Sequence, residues 1–183
     1  MKREQRQRQD AEFSAFVTGH GRQLLRLAEL LTGDPDRAKD IVQSALERAY
    51  LNWHRITGDD PGAYVRRIVV NQHRDWWRRR RNHELPTDHT PDRPLDEDLA
   101  ERQAERALLH QALGTLTRRE RTVVVLRYYG DLAEAAVADE LGIAQGTVKS
   151  TLHRAMSKLR ALPQFADRHG ASAGSTTHIE VAA

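Results

Sequence analysis

Gln145, Thr147, Lys149, Ser150, His153, Arg154 and Lys158 crowd into one short stretch near the C-terminal end of the chain. Each can bond to a phosphate oxygen or a base edge. Between them, Val148, Leu152, Ala155 and Leu159 recur at steps of four, three and four, the spacing of one buried helix stripe. An apolar back with a polar, cationic front suits a helix lying in the major groove of DNA. A second set lies further forward. Arg66, Arg67, Arg74, Arg78, Arg79, Arg80 and Arg81 face a single acid, Asp75, with Trp76 and Trp77 inside the run and Asn71 just before it. Guanidinium groups at that density repel one another without a polyanion, so phosphate contact is their natural use. Aromatic rings among them suit stacking on unpaired bases. The bland alternative is a solvated helix end with one Trp packed in the core; adjacent helix residues point about 100° apart.

Other chemistries find little support. The acids of residues 84–105 are interrupted by Pro86, Pro91 and Pro94 and have no convergent framework. The nine His residues show no HxxxH or similar spacing, and there is no cysteine, so no metal site, zinc ribbon or disulfide framework is expected. No cofactor is implied. A recombinase or nuclease with the same DNA-reading helix would need a nucleophile or clustered carboxylates, so the chain is not read as an enzyme.

The helices that must carry these residues can be placed from the pattern. Asp131 and Glu134 have the form of a capping box, predicting a helix from Asp131 with Leu132, Ala135, Ala136, Val137 and Leu141 inward. Gly142 can end that helix in a left-handed turn. The reading helix then starts at Gln145, completing a helix-turn-helix. Thr117 and Glu120 form another capping box, opening a helix in which Val124, Leu126 and Tyr128 offer core contacts. Before it, Leu108, Leu109, Ala112, Leu113 and Leu116 make an apolar face on a helix that begins near Leu99.

In the first half a helix is predicted from Ala11, after a frayed polar start, with Gly19 and Gly21 as possible interruptions and Gly33 as its end. Asp34-Pro35 opens a second helix, with Pro in the first turn, where its missing N–H costs nothing. Ala38, Ile41, Val42, Ala45, Leu46, Ala49 and Trp53 form its inner side. His54 to Asp60 reads as a loop, and Pro61 opens the arginine-bearing helix with Tyr64, Val65, Ile68 and Val69 inward. The expected architecture is all-α: a helical domain at 11–81, a flexible acidic linker at 82–98, a four-helix domain with a helix-turn-helix at 99–162, and a disordered tail at 163–183. Apolar content of 39% and charged content of 30% fit small helical domains better than one large core. The N-terminus lacks the apolar stretch of a signal peptide, and no apolar run could span a bilayer. A cytoplasmic protein without membrane insertion is therefore expected.

Four segments, DPDRAKDIVQSALERAY, PGAYVRRIVVNQHRDWWRRRR, LTRRERTVVVLRYYGDLAEAAVADELG and GTVKSTLHRAMSKLR, stand in this order around the acidic stretch. In that order the chain resembles the extracytoplasmic-function class of the bacterial sigma-70 family, most of all its actinobacterial branch. The resemblance implies a non-catalytic specificity subunit of RNA polymerase. Its partners would be the core enzyme, through the clamp helices of the largest subunit and the flap, together with promoter DNA and an anti-sigma factor. Asp40, Gln43 and Glu47 would face the clamp, although Ser44 stands where the family often has an acid. Residues 53–62 would correspond to the pocket for a flipped base of the −10 element, placing His54 and Arg55 there. Arg67, Asn71, Arg74, Trp76, Trp77 and Arg78 would grip the opening strand, with a helix-packing hydrogen bond as the equal alternative for Asn71. Gln145, Thr147, Lys149, Ser150, His153 and Arg154 would read the −35 element. Many relatives carry Arg at the position of Thr151, so a changed base preference or a lost phosphate contact is expected there. A polymerase-independent helix-turn-helix regulator is the alternative.

Overall fold

The computed structural model describes residues 2–56, 60–80 and 97–163, and these contain helices and turns but no strand. The chain divides into two compact units, residues 1–90 and 91–183. The predicted linker lies largely outside the described residues, and the predicted tail lies outside them except for Pro163.

Unit one contains α1 (Lys2–Thr32), α2 (Pro35–Leu51), α3 (Trp53–Ile56) and α4 (Pro61–Arg80). The first helix begins at Lys2 rather than Ala11, and neither Gly19 nor Gly21 breaks it. Phe16, Leu24, Leu27, Ala28, Leu30 and Leu31 are buried along it. Packing on both sides of the glycines offsets their propensity cost of about 1 kcal/mol each. Gly33 then turns the chain at φ 72°. The Asp34 side chain accepts from the backbone N–H of Asp36 and Arg37, with Pro35 in the first turn; this is the start that the sequence predicts.

The predicted loop after α2 opens instead with a short helix. Trp53 anchors it, with its ring 5.0 Å from those of both Phe13 and Phe16. In α4, Val65, Val69, Val70 and His73 are buried, whereas Tyr64 is exposed. The sequence placed Tyr64 inside and overlooked His73. Across this unit, Gln72 Nε2 donates to Ser44 Oγ at 3.1 Å, tying α4 to α2. The Arg37 guanidinium lies over the Trp76 ring.

Unit two contains α5 (Glu97–Gly114), α6 (Arg118–Val124), a π-helical turn (Val125–Tyr129), α7 (Glu134–Leu141) and α8 (Gln145–Arg160). Helix α5 starts two residues before the predicted Leu99. Its Leu108 is exposed rather than part of the apolar face, as is Tyr128 beyond α6. The Thr117–Glu120 capping box is complete: the Thr117 backbone N–H donates to Glu120 at 2.9 Å, and the Glu120 N–H donates back to Thr117 Oγ1.

The capping box expected at Asp131 and Glu134 does not form. Helix α7 begins at Glu134 after Ala133, with no side-chain cap. Asp131 instead has φ 48°, a left-handed residue through which the chain leaves the π-helical turn. Asp tolerates that conformation better than most residues. The Leu132 N–H donates to Leu126 O across this exit at 3.2 Å. Ala135, expected inside, is exposed, and Ala138 takes its place beside Val137 and Leu141.

Candidate nucleic-acid interface

Helix α7, a three-residue turn and α8 form the helix-turn-helix. Gly142 closes α7 at φ 64°, and the Ile143 N–H bonds back to Ala138 O at 3.0 Å. This is a left-handed C-cap of the Schellman kind. On α8, Val148, Thr151, Leu152 and Ala155 are buried. Gln145, Lys149, Ser150, His153 and Arg154 are exposed, and Thr147 is half-exposed. These six residues therefore share the exposed side of a helix seated by its apolar back.

Two details of α8 differ from the sequence reading. Thr151 is buried, at 1% exposure, so its side chain faces the protein's own packing rather than solvent. Its Oγ1 finds no hydrogen-bond partner among the described residues. Thr151→Val, the isosteric change, should therefore raise stability by about 1 kcal/mol, because it removes an unpaired buried hydroxyl without leaving a hole. Chemical denaturation checks this, and promoter binding should stay at the wild-type level. Lys158, counted among the phosphate-facing residues, instead donates to Glu120 Oε2 at 2.7 Å.

Glu120 is buried, at 6% exposure, and also accepts from Thr117 Oγ1 at 2.9 Å. Burial pushes its carboxyl up, but the bonds from Lys158 and Thr117 outweigh this and hold it below the usual Glu range. A depressed folded pKa means stability that is present above the unfolded pKa of about 4.3 and lost as pH falls through the folded value. Glu120→Gln should flatten that acid limb of the stability curve. Thermal melting between neutral and acidic pH measures it, and an unchanged limb would contradict the assignment.

Unit one presents two further arrays. Arg67, Asn71, Arg74 and Arg78 are all exposed and lie at steps of four, three and four, one face of α4 opposite Val65 and Val69. Arg78 pairs with Asp75 at 3.4 Å on the surface. His54 and Arg55 are exposed on α3. Trp76 is half-buried beneath Arg37, a contact that occupies one face of its ring. The side chains of Trp77, Arg79 and Arg80, and all of Arg81, lie outside the described residues.

The second array is on α2, where Asp40, Gln43 and Glu47 form one exposed stripe. Gln43 Nε2 donates to Glu47 at 3.1 Å. Beside it runs an apolar groove between α1 and α2, lined by Phe13, Leu25, Val42, Leu46 and Tyr50. Ser44, one position on from Gln43, is turned to Gln72 and so serves the packing of this unit. No spacing in the sequence points to this bond, to Arg37 over Trp76, or to Lys158 on Glu120; all three join residues far apart in the chain.

Both halves of this arrangement match known families. The profile of sigma-70 region 2 matches residues 16–83, and that of sigma-70 region 4 matches residues 106–159. The RNA polymerase sigma-E factor of Streptomyces coelicolor is 43% identical over 150 residues, spanning 81% of this chain and 84% of that one. The chain belongs to the sigma-70 family. It is an extracytoplasmic-function sigma factor of the actinobacterial kind: the ECF RNA polymerase sigma factor SigL of Mycobacterium tuberculosis is 34% identical over 155 residues, covering 80% of this chain and 85% of the relative. Solved structures agree on the fold. The sigma factor RpoE of Bartonella quintana, solved with the anti-sigma factor NepR, superposes with a TM-score of 0.65 at 22% identity, covering 81% of this chain and 94% of that one. CnrH, solved with the cytosolic domain of CnrY, gives 0.58 at 23% identity, covering 89% and 91%. As a sigma factor, the chain binds RNA polymerase core and directs promoter-specific initiation, recognising the −35 element and recognising and melting the −10 element.

Proposed function

We propose that the two units divide promoter recognition between them, a domain at residues 11–81 within unit one serving the −10 element and a domain at residues 99–162 within unit two serving the −35 element. The observation that carries this is the exposed array on α8, Gln145 through Arg154, standing opposite a continuous buried row. A rigid helix of that kind fits intact duplex. The α4 face of Arg67, Asn71, Arg74 and Arg78, with His54 and Arg55, holds the opened strand by phosphate pairing and base contact. Asn71 is exposed, which favours DNA contact over helix packing. Arg37 over its ring limits what Trp76 lends to DNA. Asp40, Gln43 and Glu47 form the contact with the polymerase clamp, and Ser44 is not part of it.

Unstacking the −10 segment costs a few kcal/mol. Neither unit offsets that alone, so the core enzyme must hold both at the right separation. The chain performs no chemistry of its own and acts in the cytoplasm; no helix among the described residues is long and apolar enough to cross a membrane. An anti-sigma factor belongs among the partners, with the α1–α2 groove as its apolar seat in competition with polymerase. Electrophoretic mobility shift tests the division. Free protein should show no specific promoter complex, whereas protein with core should bind and protect both elements. Tight, specific binding by the isolated chain would favour the self-sufficient regulator.

A further inference from the structure

Thr117, Glu120, His153, Arg154, Ser157 and Lys158 line one cleft between the start of α6 and the C-terminal half of α8. It contains one buried acid, Glu120, and two cations of the reading helix. Arg154 and Lys158 are one turn apart on α8 and lie on the same cleft, yet only Lys158 is joined to the carboxylate, at 2.7 Å. Arg154 is exposed and makes no ion pair among the described residues. The two cations are thus in different states although both line the cleft that holds the acid.

A buried carboxylate must keep a charged partner or pay heavily for its lost hydration. A guanidinium binds carboxylate in a two-pronged geometry that an ammonium lacks, so Arg154 is the natural replacement wherever Lys158 is missing. We propose that Lys158 is a resident counter-ion: it occupies Glu120 so that Arg154 remains available to DNA. The inference rests on the assignment of α8 as the −35 reader. It makes Lys158 a residue that preserves −35 affinity without touching DNA.

The two halves of the pair then behave oppositely when broken. Lys158→Met leaves the carboxylate to capture Arg154. Glu120→Gln removes the charge, keeps the capping box, which accepts Gln at this position, and leaves Arg154 untouched. A clamp that only stabilised the fold would weaken binding from either side.

The test uses the full chain assembled with core polymerase. Affinity is titrated on a promoter fragment and on the same fragment with a scrambled −35 element, after circular dichroism has shown each variant folded at the assay temperature. Lys158→Met should lose about tenfold in −35-dependent binding, the worth of one good side-chain contact. Lys158→Arg and Glu120→Gln should bind as tightly as wild type, and the Glu120→Gln/Lys158→Met double variant should recover most of the loss. A double variant as weak as Lys158→Met would mean that Lys158 touches DNA itself, and would overturn the proposal. Weakness in Glu120→Gln would overturn it too, even if Lys158→Met failed to fold. Wild-type binding indifferent to the −35 scramble would instead remove the assignment of α8 and the inference with it.

Discussion

Trp53→Ala should destabilise unit one by about 3–5 kcal/mol, the usual cost of deleting a large buried aromatic side chain. Trp53 is 3% exposed. Its ring meets Phe13 edge-on at 83° and Phe16 at 52°, both with centroids 5.0 Å away. Phe13 also packs edge-on against Tyr50 at 5.2 Å. Truncation would therefore open a hole where α1, α2 and α3 meet and forfeit aromatic contacts worth about 0.5–1.5 kcal/mol each. Small domains have only about 5–15 kcal/mol in total, so much of this unit's stability would go. The indole Nε1 has no hydrogen-bond partner among the described residues. Trp53→Phe, which keeps a ring and drops that buried N–H, should cost far less, about 1 kcal/mol. Urea denaturation compares the two. Similar losses for both, or less than about 1 kcal/mol for Trp53→Ala, would mean that Trp53 does not anchor this junction. Because α3 carries His54 and Arg55 and α2 carries the stripe proposed to meet the clamp, Trp53→Ala should also abolish core capture and initiation.

The second large effect is on recognition. Arg154→Ala should weaken binding to an intact promoter by about 1–3 kcal/mol, the range for one specific contact in the major groove. It should have no effect on a promoter whose −35 element is scrambled, and none on core capture. Arg154 is exposed on α8, and the nearby buried acid is already joined to Lys158. Little internal packing depends on it, so thermal stability should be unchanged. Titration of the assembled enzyme on the two promoters separates the terms. Equal loss of core capture and −35 dependence would place the reading helix elsewhere.

What the sequence made legible follows from the range of each interaction. Elements set by local spacing were readable: the Asp34-Pro35 start of α2, the Thr117–Glu120 box, Gly142 at φ 64°, and the two faces of α8. The same local pattern failed at Asp131 and Glu134. Two signals competed there, because the preceding helix overran into a π-helical turn and needed a left-handed residue to escape. The exit took Asp131, and α7 started late. The glycines of α1 misled for the opposite reason, since tertiary burial overrode propensity. Tyr64, Leu108 and Tyr128 were placed inside by periodicity alone, which marks a face but not where the covering partner ends.

The candidate site divides in the same way. Exposure of Arg67, Asn71, Arg74 and Arg78 was legible because the four share one face of a single helix. The inward turn of Thr151, the covering of Trp76 by Arg37 and the holding of Lys158 by Glu120 depend on which helix packs against which. No spacing rule within one helix carries that information. Each of the three ties a side chain to the protein's own packing.

Run-off transcription on a genomic DNA library, with start sites mapped, tests the division of labour most directly. With this protein added, core polymerase should start at a limited set of positions preceded by two shared motifs at a constant spacing. Arg154→Ala should erase dependence on the upstream motif alone. Association with core that yields no defined starts, or starts with no upstream motif, would contradict the account.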